Sequence, residues 1–60
     1  MNNFMKIQIQ TMITTTKTFQ QACKMAALED DGKIDKIEAK QLKQINAASE
    51  KFMKELQKIK

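Results

Sequence analysis

The chain has 60 residues, a net charge of +4 at pH 7, one cysteine and no histidine. A single cysteine cannot form an internal disulfide, and without histidine a structural zinc site has almost no ligands to draw on. Small chains bury little surface and usually need such a staple, so association with another chain is the stabilising device that remains.

The first predicted element is an amphipathic helix over about residues 4–29. Apolar positions recur at alternating spacings of four and three, which places them on one narrow helix face. Residues 6–16 also alternate Ile with Gln and run into threonines, which is typical of a strand. The helix is favoured because the heptad spacing continues through this segment and no second strand is available to pair with it. The heptad positions are Met5, Ile9, Met12, Thr16, Phe19, Cys23 and Ala26.

A turn over residues 30–34 follows the first helix. Gly32 can adopt the left-handed backbone conformation that closes a helix C-terminus. Asp35 and Glu38 have the spacing of a capping box, in which the two side chains bond to each other's backbone N–H groups. The turn therefore predicts a reversal of the chain immediately before a second helix.

The second predicted helix covers about residues 35–59 and carries a mirrored heptad pattern. If the chain folds back at Gly32, each position of one helix faces a position of the other, and the polar interruptions Thr16 and Ser49 fall in the same layer. The predicted fold is a single all-α domain, residues 1–60, built as an antiparallel helical hairpin. The heptad positions of the second helix are Leu42, Ile45, Ser49, Phe52, Leu56 and Ile59.

Two helices supply only two side chains to each layer, so half of the predicted core stays in contact with water. A second hairpin would bring each layer to four side chains and complete a four-helix bundle. Five of the seven acidic residues lie between residues 29 and 38, and both flanking segments are basic. An antiparallel homodimer is predicted because it sets each acidic turn beside the basic helix ends of its partner.

The acidic turn also resembles part of an EF-hand calcium loop. With Gly32 at the sixth position, the apolar eighth and acidic twelfth positions are filled, but Ala27 stands where the leading Asp ligand is expected. Helix capping explains Gly32, Asp35 and Glu38 without a metal, although it leaves Glu29, Asp30 and Asp31 at a helix end whose dipole disfavours negative charge. No metal or other cofactor is predicted. The carboxylates of the alternative calcium site are Glu29, Asp31, Asp35 and Glu38.

A polar lane on the first helix allows a nucleic-acid interpretation, because lysines and glutamines along one side can contact phosphates. Against it, the chain has no arginine and no Tyr or Trp for stacking. In shape, the predicted dimer resembles the plasmid copy-number regulator Rop, a hairpin dimer whose first helices bind paired RNA. The lane consists of Lys6, Gln10, Lys17, Gln21 and Lys24.

Catalysis is not expected, because the sequence offers no histidine, no activated nucleophile and no Gly-rich phosphate loop. Cys23 lies on the heptad pattern and is interpreted as a small core residue. No membrane segment is predicted, and a reduced thiol fits the cytoplasm.

The predicted function is a regulatory or inhibitory protein-interaction module of bacterial or phage origin, with a heterologous partner. The alternatives are an accessory subunit of a filament, secretion or phage machine, and a Rop-like RNA-binding dimer.

Overall fold

A computed structural model describes residues 1–29 and 32–59 of the chain, and these residues form a two-helix hairpin. Helix α1 runs over Asn3–Glu29 and helix α2 over Lys36–Gln57, and the two pack against each other. The predicted all-helical hairpin is confirmed. Residues 6–16, where the sequence pattern also allowed a strand, belong to α1.

Helix α1 begins at a side-chain cap and continues through a threonine-rich segment whose hydroxyl groups bond within the helix. The Asn2 side chain accepts the Met5 backbone N–H at 2.8 Å, which caps the first turn. The Thr11 hydroxyl donates to the Ile7 carbonyl at 2.9 Å, and Thr18 bonds in the same way to the residue four positions earlier. Threonine hydroxyls bonded back to the helix in this way do not compete with it through other backbone conformations.

The turn has the chemistry that its sequence predicts. Gly32 has a positive φ of 74°, and its N–H donates to the Leu28 carbonyl at 2.8 Å, which closes α1. The Glu38 N–H donates to Asp35 Oδ1 at 2.8 Å, and the Asp35 N–H donates to Glu38 Oε1 at 3.3 Å. This reciprocal pair is a complete capping box at the start of α2. Asp30 and Asp31 of the predicted turn, and the terminal Lys60, lie outside the described residues.

The contact between the helices is a single narrow layer. Its most buried apolar side chains are Ile13 and Met53, at 6% and 5% exposure, and beside them Thr16 and Ser49 are also buried. The backbone is correspondingly flat, with its Cα atoms extending over 46 × 17 × 7 Å. No large side chain among the described residues is fully buried. The half-buried positions that extend the contact are Ile9, Gln20, Cys23, Ala27, Glu38, Leu42, Ile45 and Leu56.

The contact coincides with the heptad pattern only in part. Met12 and Phe52, which the pattern pairs as a core layer, are 44% and 45% exposed, and the adjacent Ile13 and Met53 are buried instead. One residue turns the side-chain direction by about 100° on a helix, so the two pairs point to different sides. Some heptad residues, such as Thr16 and Ser49, therefore face the other helix. Others, such as Met12 and Phe52, are exposed on one side of the hairpin.

Candidate helix-docking face

One side of the hairpin presents large apolar side chains that no part of the described chain covers. Met5, Met12 and Phe19 follow each other at intervals of seven, so they lie along one line of α1. Phe19 is 51% exposed and Met5 is 54% exposed. Phe52 of α2 lies across from them, beside small residues. We name this side the apolar face and define it as Met5, Met12, Thr15, Phe19, Ala48 and Phe52.

The centre of the apolar face is a shallow groove of about 390 Å³ between the helices. Thr16 and Ser49 form part of its floor, and both also belong to the hairpin contact. The Thr16 hydroxyl donates to the Met12 carbonyl at 2.8 Å, so its donor is already bonded within α1. The groove thus has mainly apolar walls, and the Thr16 hydroxyl in its floor is bonded within α1. Its lining is Met12, Thr15, Thr16, Phe19, Ala48, Ser49 and Phe52.

Toward the turn, a second groove of about 310 Å³ includes further heptad positions. Cys23 is half-buried in its wall beside Ala26, with Ile45 of α2 on the other side. Ala26 and Ala27 contribute only small side chains to the lining of this groove. Towards the other end of the hairpin, Leu56 is half-buried, whereas Ile59, just beyond α2, is 53% exposed.

The opposite groove is polar and carries part of the lysine lane. It has a volume of about 550 Å³, and the Gln20 side-chain amide spans it to donate to Glu50 Oε1 at 3.3 Å. Lys17, Gln21 and Lys24 are brought together in its lining, whereas Lys6 and Gln10 lie on earlier turns of α1 and do not line it. The remaining lining residues are Ile34, Leu42 and Asn46.

The structure describes three of the four carboxylates of the alternative calcium site: Glu29 at the end of α1, and Asp35 and Glu38 at the start of α2. Asp35 and Glu38 form the capping box, in which a carboxylate oxygen of each accepts the backbone N–H of the other. Asp31 lies outside the described residues. Within residues 1–29 and 32–59, no three His, Cys, Asp or Glu side chains come close enough together to hold a metal ion.

Two residues of the hairpin contact were missed by the sequence reasoning. Ile13 and Met53 do not belong to the heptad pattern, which predicts their neighbours Met12 and Phe52 as core residues. The signal that could have found them is that each follows a heptad position directly, which widens the apolar sector of its helix beyond two positions in seven. A wider sector is what a helix needs if it contacts one neighbour within its chain and another outside it.

Comparison with known proteins found no matching family model, no matching curated protein and no matching solved structure. Neither helix, over the residues that the structure describes, combines the length and the apolar character needed to cross a membrane. The two faces of the hairpin are therefore the basis for assigning a function.

Proposed function

We propose that this chain is a non-enzymatic protein–protein interaction module whose apolar face receives helices from another chain. The observation that carries the proposal is the row of half-exposed Met12, Phe19 and Phe52 around one groove. Two added helices would bring each layer of the hairpin to four side chains, and the completed structure would be a four-helix bundle.

The energetics of the single hairpin support this proposal. Of the described residues, only Ile13 and Met53 are buried apolar side chains, and a chain of this length has little margin against the entropy of folding. Covering the apolar face adds burial at about 25 cal/mol for each Å² of apolar surface removed from water. Association would therefore stabilise the hairpin. By covering a surface of its partner, the bound chain would regulate or inhibit that partner in the cytoplasm.

The same face would also serve an accessory subunit of a larger helical assembly, which is the alternative structural function. Before Glu29, helix α1 carries only Lys6, Lys17 and Lys24 as charged residues, so most of its surface is compatible with burial. Growth to large species with concentration would favour this alternative over a closed complex.

The test of the proposal is urea unfolding, followed by circular dichroism, over a wide range of chain concentration. An associating module gains helicity and a higher unfolding midpoint as concentration rises, by mass action. Phe19→Gln removes an anchor of the apolar face and should reduce this gain, whereas Met25→Gln, at an exposed position outside the face, should preserve it. A chain that is fully helical and equally stable at every concentration contradicts the proposal, because such a hairpin needs no added helices.

The polar groove favours a second candidate function, binding to the phosphate backbone of paired RNA. Lys17, Lys24 and Gln21 line one groove on the side away from the apolar face, so an interaction there is compatible with a covered apolar face. Binding of this kind weakens steeply with salt. Lys17→Gln with Lys24→Gln should lower affinity for an RNA duplex, and Lys40→Gln with Lys51→Gln, on another side of α2, is the control with the same net charge. Equal loss in both variants would leave only non-specific attraction.

A further inference from the structure

The hairpin exposes more surface than a compact protein of its mass. Its accessible surface is 5233 Å². A compact monomer of 6.9 kDa is expected to expose about 4,000 Å². The difference of roughly 1,200 Å² per chain amounts to roughly 2,400 Å² for two chains, which lies in the size range of obligate homodimer interfaces. A second hairpin is thus an occupant of the right size for the apolar face.

We propose that the occupant of the apolar face is a second copy of this chain, docked antiparallel about a two-fold axis through the layer of Thr16 and Ser49. This inference rests on the proposed function and names its partner. Thr16 is the midpoint of α1, so an axis there lets the two hairpins overlap along their full length. The groove of about 390 Å³ surrounds this same layer.

The apolar face combines large and small side chains around one groove. A two-fold interface uses the same patch on both subunits, so the patch must supply both kinds of side chain itself. Phe19 and Phe52 are half-exposed at this groove, and the small Thr15 and Ala48 line it beside them. The interface is also continuous with the hairpin contact, since Thr16 and Ser49 belong to both.

The charges at the two ends of the hairpin favour the antiparallel orientation. The turn end carries Glu29, Asp35 and Glu38, and five of the seven acidic residues of the sequence lie between residues 29 and 38. The other end carries Lys6, Lys54 and Lys58, of which Lys58 also pairs with Glu55 at 3.5 Å. Parallel docking would place two acidic ends together, whereas antiparallel docking places each acidic end beside a basic one.

The experiment combines sedimentation equilibrium of the unmodified chain with a distance measurement between spin labels. In a Cys23→Ala background, Lys36→Cys places one label at the exposed start of α2, 13 residues from Ser49. At 1.5 Å per residue, antiparallel docking separates the two labels by about 40 Å along the bundle. Parallel docking leaves only the lateral spacing of the helices, about 10–15 Å between axes before the label arms are added.

Lys51→Cys in the same background is the matched control, because it lies within one turn of Ser49 and both orientations predict a short distance there. A dimer with the long distance at position 36 and the short one at position 51 is the expected result. A dimer with short distances at both positions overturns the antiparallel orientation. Oligomers larger than a dimer, increasing in mass with chain concentration, would overturn the proposal of a closed two-fold dimer.

A monomeric chain also overturns the inference, and its helicity separates that failure from a failure of the proposed function. A weakly helical monomer means that the apolar face awaits helices of a different protein, so the interaction module survives without its second copy. A fully helical monomer that unfolds cooperatively at low concentration overturns both, because the hairpin is then complete by itself.

Discussion

Replacement of Phe52 by Gln should weaken association far more than the same replacement at Phe4. Full burial of a Phe side chain stabilises by about 1.5–3 kcal/mol. Phe52 is 45% exposed in the hairpin, so covering the remainder contributes roughly 0.7–1.4 kcal/mol in each protomer. A two-fold dimer contains Phe52 twice, so the dissociation constant should rise about 10- to 100-fold. Gln keeps the net charge and has the higher helix propensity, so an observed loss reports the apolar contact.

The control works because Phe4 is 80% exposed and lies outside the apolar face. Phe4→Gln should change the dissociation constant less than about 2-fold, which is within the usual range for exposed positions. Sedimentation equilibrium measures both constants, and circular dichroism checks that both variants remain helical. Equal effects of the two replacements would refute the assignment of Phe52 to an interface, and a larger effect of Phe4→Gln would place the interface elsewhere.

The remaining predictions concern stability, measured as the free energy of unfolding in urea at one fixed chain concentration. Ile13→Ala should cost about 2–4 kcal/mol, because Ile13 is one of the most buried apolar residues, whereas Ile7→Ala at an exposed position should cost less than about 1 kcal/mol. Thr16→Ala with Ser49→Ala should change stability by no more than about 1 kcal/mol, since the lost hydroxyl bond is offset by the better helix propensity of Ala. A larger loss of stability in this double variant would contradict the interpretation that Thr16 and Ser49 lie in a layer that is otherwise apolar. Asp35→Ala should cost about 1 kcal/mol by removing half of the capping box, and no loss would show that the box is dispensable.

The hairpin was predictable from sequence because its signals are local and mutually consistent. Gly32 needs a backbone conformation that other residues rarely adopt, and Asp35 with Glu38 completes a capping box within four residues. The alternation of Ile and Gln over residues 6–16 is also typical of a strand, but the continuous heptad spacing predicts a helix there, and the segment is helical. Hydrogen bonds from Thr11 and Thr18 to carbonyls four residues earlier show how that helix accommodates its threonines.

The side on which each helix meets the other was not predictable from the heptad pattern. Met12 and Ile13 are both apolar and neighbours in sequence, and the pattern gives no means to decide which faces α2 and which faces outward. That choice depends on the rotation of α1 about its own axis, which is set by packing along the whole contact. The burial of Ile13 and Met53, and the exposure of Met12 and Phe52, are therefore seen only in the structure.

Sedimentation equilibrium of the unmodified chain, with circular dichroism on the same samples, tests most directly the claim that the apolar face is covered by a second copy. If a second copy covers the apolar face, the sample contains a species of twice the 6.9 kDa chain mass, and its helicity falls as dilution separates the protomers. A 6.9 kDa species that remains fully helical at every concentration would contradict that claim.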